Sequence, residues 1–291
     1  MAIDYYDRNI FEGGTFADIQ AKDGPRIEIN ATDLSIGERF VFNQEQFNML
    51  CSDLGSFNVA RAVAASSAVP VAFKPIRLKN HAGCDYSDPP HIKAARRYAK
   101  DNPRFAVVLE NFDSYRDKES RRFVHLVDGG ITDNLGVRTL YNRLETAGVT
   151  VGTSLEFVSK PRYIVAVIVN ADTNPEKSMD ISDKPLSNLE VVSAVTNTQI
   201  DRYSSESLAL LEESMQDWAT KLSTPQQPVT SFFITLDFEN LTNEKMRKLF
   251  NNMATSFSLP GNEVDSLIKA GNSLLEDSPE FKKFVGQINQ D

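Results

Sequence analysis

The run Arg162 to Asn170 (RYIVAVIVN) is apolar on both of its alternating faces. A strand of that kind needs cover above and below, as central parallel strands have. It predicts an α/β layer fold, and the rest of the chain agrees, because strand-like runs alternate with helix-like ones. Arg26 to Leu34 alternates Ile27, Ile29 and Ala31 against polar neighbours and predicts a strand. Glu38 to Phe42 predicts a second, paired through a turn at Ser35-Ile36-Gly37, and Asn43 to Leu50 a short helix. Val59 to Ala68 is rich in alanine and apolar nearly all round, which predicts a buried helix stopped by Pro70.

Residues 75 to 120 are the least regular stretch, with Pro75, Gly83, Pro89, Pro90 and Pro103 among many charges. They predict a long excursion with one short basic helix at Ile92 to Lys100, and the part from Pro75 to Pro90 is placed to cover a site entrance. Phe123 to Val127 predicts a short apolar strand, and Asn134 to Ala147 a helix with Asp133 as its N-cap. A long helix is expected from Ser187, where Ser187 and Glu190 fit a capping box. Leu208, Leu211, Met215, Trp218 and Leu222 then form one apolar stripe. Val229 to Leu236 predicts a strand. Helices follow at Asn243 to Ala254 and Glu263 to Leu275, and a last one is capped by Ser278 with Pro279 in its first position.

The formal net charge of −9 gives no attraction to phosphate backbones, so nucleic acid is not an expected partner. Cys51 and Cys84 allow at most one disulfide, which leaves the compartment open. The N-terminus carries no basic segment followed by an apolar one, so no signal peptide is read there. No apolar run reaches the roughly 18 residues of a membrane span.

The sharpest chemical signal is Val127-Asp128-Gly129-Gly130-Ile131-Thr132-Asp133-Asn134-Leu135-Gly136. An acid stands at the C-terminal end of an apolar strand, where ligands bind in open α/β sheets. The two glycines after it allow a sharp turn and leave the carboxylate unobstructed. A bare Asp-Gly-Gly is also ordinary turn chemistry. The context is what singles Asp128 out.

This segment resembles the catalytic Asp-Gly-Gly/Ala motif of patatin-like phospholipases. Asn58 to Phe73 resembles that family's alanine-rich helix and its Ser/Ala-x-x-Pro-x-x-Phe stretch, here Ser67-Ala68-Val69-Pro70-Val71-Ala72-Phe73. Asn30-Ala31-Thr32-Asp33-Leu34 followed by Gly37-Glu38 resembles its Ala-Thr-Asp-Leu strand. The three stand in the family's order, and the resemblance covers about residues 26 to 171. It implies a three-layer α/β/α fold with a mainly parallel central sheet. Residues 1–175 would be the C-terminal part of the catalytic domain, and 176–291 a mostly helical extension packed on it. It also implies a serine–aspartate dyad with no cofactor and no metal. The serine attacks an ester carbonyl of a lipid or phospholipid, Asp128 takes its proton, and water releases the acyl-enzyme.

The family's nucleophile lies in a Gly-x-Ser-x-Gly elbow upstream of all three segments, and that pattern is absent. Gly152-Thr153-Ser154-Leu155-Glu156 comes near it but lacks the second glycine and follows Asp128. The glycine-rich oxyanion loop is missing too, since Gly13-Gly14 has no arginine and no preceding apolar strand. The expectation is that the first strands of the domain are missing from this sequence. Three readings stay open: a fragment of a longer hydrolase, inactive alone; a non-catalytic relative that binds lipid or protein; and a split enzyme whose partner chain supplies serine and strands. The resemblance implies a lipid or phospholipid substrate and with it peripheral contact with a membrane surface.

Other candidates have plainer readings. Ser66 and Ser67 lie on the buried helix without an elbow or a base. His81, Cys84 and His91 match no zinc spacing. His125 falls on the strand face opposite Asp128 and is expected in the core. Asp133 and Asp172 follow strand ends and are expected to cap or turn the chain.

Overall fold

The computed structural model describes residues 2–21, 24–70, 72–150, 161–173, 183–253, 256 and 258–290. In chain order the helices are α1 (Ala2–Tyr6), α2 (Phe16–Gln20), α3 (Gln44–Met49), α4 (Val59–Ser66), α5 (Pro90–Tyr98) and α6 (Pro103–Asp113). They continue with α7 (Gly130–Asp133), α8 (Val137–Thr150), α9 (Asn188–Leu222), α10 (Glu244–Asn251), α11 (Gly261–Asp277) and α12 (Pro279–Ile288). The strands are β1 (Asn30–Asp33), β2 (Glu38–Val41), β3 (Ile76–Lys79), β4 (Phe123–Val127), β5 (Tyr163–Asn170) and β6 (Thr230–Asp237). This is a mixed α/β protein. It divides into two units, Met1–Glu156 with Leu189–Leu211, and Phe157–Asn188 with Glu212–Asp291.

In the first unit four strands form one sheet in the order β2-β1-β4-β3, and every neighbouring pair is antiparallel. The expectation of a mainly parallel sheet around Asp128 is thereby corrected. Alternation along a short strand shows which residues are buried, but it carries no information on the direction of the neighbour. β1 and β2 form the expected hairpin. Gly37 takes φ +61° in its turn, and its N–H donates to the Asp33 carbonyl at 2.9 Å.

One face of this sheet carries Ala31, Phe40, Leu78, Val124 and Leu126, all buried in a core with Phe42, Phe47, Leu50 and Tyr115. Burying one ring such as Phe40, which is 0 % exposed, contributes about 1.5–3 kcal/mol. α4 closes on the same core with Ala62 and Ala65, where the missing side-chain bulk lets the helix backbone come close. Asn58 caps that helix by accepting from the Arg61 amide at 3.0 Å.

Residues 75 to 120 are more regular than expected. β3 lies in this stretch, and its only inward side chains are Ile76 and Leu78, too few to stand out among Arg77 and Lys79. α6 begins at Pro103 behind the cap Asn102, which accepts from the Phe105 amide at 3.3 Å. The segment before α5 is fastened at several points. Cys84 forms a disulfide with Cys51, and Asp88 accepts from Arg96 at 2.5 Å and from Arg116 at 2.7 Å. His91 pairs with Glu45.

In the second unit β5 and β6 pair in parallel from Tyr163 opposite Thr230 to Asn170 opposite Asp237. Ala166 and Ile168 are buried, whereas Val167 and Val169 are 48 % and 68 % exposed. The expected cover on both faces of β5 is corrected to one face among the described residues. The β-branched run reflects strand propensity as much as burial. Ile234 and Leu236 of β6 pack with Leu274 of α11, and Ser278 caps α12 through the Phe281 amide at 3.3 Å. No described helix is long and apolar enough to cross a membrane.

Candidate functional site

Asp128 stands at the tip of β4, and the turn that carries it is fixed from two sides. Its N–H donates to the Ala68 carbonyl at 2.9 Å and the Gly129 N–H to the Ser66 carbonyl at 3.0 Å, so the end of α4 holds the strand end. From β1, the Thr32 hydroxyl donates to the Asp128 carbonyl at 2.8 Å and lies 2.9 Å from the Thr132 hydroxyl. The alanine-rich helix, the Ala-Thr-Asp strand and the Asp-Gly-Gly turn are thus brought together at one place.

The glycines serve a purpose different from the sharp turn expected of them. Neither has a positive φ. A Cβ on Gly129 would lie 2.5 Å from the Asn30 carbonyl oxygen, and one on Gly130 would lie 2.8 Å from Asn134 Oδ1 and 3.0 Å from Asp128 Oδ1. What these positions require is close approach to neighbouring backbone and side chains. The Gly130 N–H then donates to Asp128 Oδ1 at 2.8 Å.

That amide is the one protein donor at the Asp128 carboxylate among the described residues, and no cation lies in contact with it. The side chain is half-buried. Burial pushes its carboxyl above the ordinary aspartate range, and the Gly130 amide opposes this in part. Two neighbouring acids contrast with it. Asp133 is buried and pairs with Arg39 at 3.0 Å, while accepting from the Arg138 amide at 3.1 Å near the start of α8. Asp33 is buried against Arg121 and accepts from the Tyr115 hydroxyl at 2.9 Å. Burial pushes the Tyr115 phenol well up, so it stays a donor to Asp33. Asp128 is the acid here whose second oxygen keeps no described partner, which is what a proton acceptor needs.

The remaining candidates fall elsewhere. The Ser67 hydroxyl donates to the Val63 carbonyl at 3.0 Å and lies 3.3 Å from the Tyr6 hydroxyl. Ser66 meets the turn through its carbonyl. No serine hydroxyl among the described residues hydrogen-bonds Asp128. His125 does point away from the core residues Val124 and Leu126, but it is exposed beside Arg77, Lys79 and Phe123, so its expected place in the core is corrected. Among the described residues that face of β3 and β4 has no cover, and parity alone cannot show which face is covered. Cys84 is committed to its disulfide, and His91 to Glu45. Asp133 is not the N-cap expected of it: it ends α7, α8 begins at Val137 rather than Asn134, and the Asp133 carboxylate accepts from the Arg138 amide near that start. The Asp172 N–H donates to Asn170 Oδ1 at 3.1 Å in the second unit. Gly152 to Glu156 lie outside the described residues.

Sequence reading did not assign a role to Thr32, Asn30 or Arg39. Thr32 was visible within the Ala-Thr-Asp segment, but its bond to a residue 96 positions away has no local signal. No protein-family model, curated protein or solved structure matches this chain.

Proposed function

We propose that this chain carries the aspartate half of a patatin-like lipid acyl hydrolase, within a patatin-like three-layer α/β/α domain. Asp128 is the general base, and the nucleophilic serine comes from outside this sequence. In the reaction the serine oxygen attacks the ester carbonyl while its proton passes to Asp128. That proton then goes to the leaving alcohol, and water repeats the sequence on the acyl-enzyme. The observation that carries the reading is the half-buried carboxylate at the tip of β4, with one oxygen held by the Gly130 amide and the other free of described partners.

The magnitudes set what the chain does alone. A general base contributes roughly 10²- to 10⁴-fold, whereas loss of the nucleophile costs on the order of 10⁶ in turnover. Each missing oxyanion donor removes a further ~10² to 10³. The chain alone is therefore expected to hydrolyse no p-nitrophenyl acyl ester above background. Joined to an upstream-encoded segment bearing Gly-x-Ser-x-Gly, it is expected to turn over, and Asp128→Asn is expected to lower that turnover at least about 100-fold. Full activity in the joined Asp128→Asn protein would remove Asp128 from the mechanism. If the upstream frame encodes no such elbow, the non-catalytic reading takes its place.

A further inference from the structure

The chain as a whole is acidic, with 40 Asp and Glu against 31 Lys and Arg, but its charges are unevenly spread. Residues 61–84 and 121–127 hold six Lys and Arg and no Asp or Glu. β3 and β4 are built from these two stretches and pair with each other. The fold therefore gathers positive charge at one edge of the first sheet, where β3 is the outer strand.

The pairing fixes which side chains share a face. Leu78, Val124 and Leu126 point into the core. On the other face Arg77 lies opposite His125 and Lys79 opposite Phe123, and all four are exposed. β1 extends the first of these rows, because the Leu34 N–H donates to the His125 carbonyl at 2.9 Å, and Leu34 is 56 % exposed. The Arg77 guanidinium sits over the Phe123 ring, 4.8 Å from its centroid. From α4, the Arg61 guanidinium donates to the Arg77 carbonyl at 2.9 Å and adds a further charge beside β3. Arg39, Arg96, Arg116 and Arg121 of the same unit each have a carboxylate partner. Among the described residues no carboxylate forms an ion pair with Arg61, Arg77 or Lys79.

An occupant of this face has to answer unpaired cations and an exposed leucine and ring at once. A bilayer with anionic head groups does so: its phosphates meet the cations, and its interface takes up aromatic and aliphatic side chains. A single-stranded nucleic acid is a poorer match. Its bases need ring faces to stack on, and Arg77 already covers a face of Phe123. It also offers nothing to Leu34. We propose that the outer face of β3 and β4 is a docking surface for an anionic phospholipid bilayer. The choice of lipid over another polyanion rests in part on the lipid acyl hydrolase reading. His125 and Asp128 are three residues apart, roughly 10 Å along the strand direction, so docking holds the candidate base close to the lipid surface.

The test is co-sedimentation of the full chain with vesicles of phosphatidylcholine, alone or with about one-third phosphatidylglycerol. Binding is expected to the anionic vesicles only, and to be at least about tenfold weaker at 0.5 M salt than at 0.05 M. A basic residue near an anionic surface is worth about fivefold in partitioning, so Arg77→Glu with Lys79→Glu should weaken binding at least about 25-fold. Arg77→Gln with Lys79→Gln, expected to weaken it about 25-fold, serves if the reversed pair prevents folding. Lys93 and Lys100 are exposed elsewhere on the same unit. Lys93→Glu with Lys100→Glu makes the same change in net charge and is expected to weaken binding less than about threefold. Four results overturn the proposal: no preference for anionic vesicles, no loss in the Arg77 and Lys79 variants, an equal loss in the Lys93 and Lys100 variant, or a single-stranded oligonucleotide held more tightly than the vesicles. Vesicle binding involves no ester cleavage. Its failure therefore leaves the role of Asp128 as it stands, and loss of that role leaves the vesicle result standing.

Discussion

Arg39 of β2 and Asp133 at the end of α7 face each other at 3.0 Å, and both side chains are removed from solvent. This pair ties the β1–β2 hairpin to the turn that follows Asp128, so the position of the candidate base depends on it. Removing one partner of a buried pair leaves an uncompensated charge. Arg39→Met is expected to cost about 3–5 kcal/mol in urea unfolding. The double variant Arg39→Met/Asp133→Leu should recover much of that loss. A single variant within 0.5 kcal/mol of the parent would show that the pair is not sealed.

Gly129 is the least replaceable residue of the motif. An added Cβ would meet the Asn30 carbonyl at 2.5 Å, and that oxygen belongs to a paired strand. Gly129→Ala is expected to cost at least about 2 kcal/mol, in the range of overpacking. Gly271, inside α11, has nothing within 4 Å of an added Cβ. Gly271→Ala should therefore stabilise by about 0.5–1 kcal/mol through helix propensity. Chemical unfolding of both variants checks the contrast.

How much of this could be read beforehand depends on the range of the interaction. β4, the turn at Gly37 and the cap Ser278 follow from neighbours a few residues away, and all were legible. The antiparallel register of β1 against β4 was not, because Thr32 opposite Val127 is a pairing across the chain that leaves no mark on either segment. β3 escaped notice because two inward residues make no readable alternation. The parity of His125 gives the side of its strand but not its exposure, since cover on that side depends on what lies over Phe123 and Arg77.

The Cys51–Cys84 disulfide spans a sequence separation of 33 residues and anchors the segment before α5. Constraint of the unfolded chain over a loop of that length is expected to contribute about 3–4 kcal/mol. Reduction under native conditions, or Cys51→Ser with Cys84→Ser, should lower the urea midpoint accordingly. Asp88, held by Arg96 and Arg116, should keep the segment in place after reduction. Rapid proteolysis between residues 81 and 90 in the reduced protein would contradict that.

Burial of Asp128 also has a stability consequence with a definite sign. A carboxyl whose folded pKa is raised binds its proton more tightly when folded. Its contribution is fully present below the unfolded value and is lost as pH rises through the folded one. Asp128→Asn, which cannot ionise, is therefore expected to match the parent near pH 3, below the ordinary aspartate value of 3.8, and to melt higher at pH 8. Because the side chain is partly open to solvent, the gain is expected to stay below about 1 kcal/mol, or roughly 2–4 °C. Thermal melts of both proteins at the two pH values decide it.

The central claim is that residue 128 is a desolvated carboxylate with an oxygen open to receive a proton. A carbon-13 titration of the aspartate carboxyl signals, with Asp128 assigned through its loss in Asp128→Asn, measures this directly. The result expected is a midpoint above the ordinary aspartate range, as burial without a cationic partner requires. A midpoint at or below that range would mean that the carboxylate is already neutralised by its surroundings, and the role of Asp128 as a base would fall.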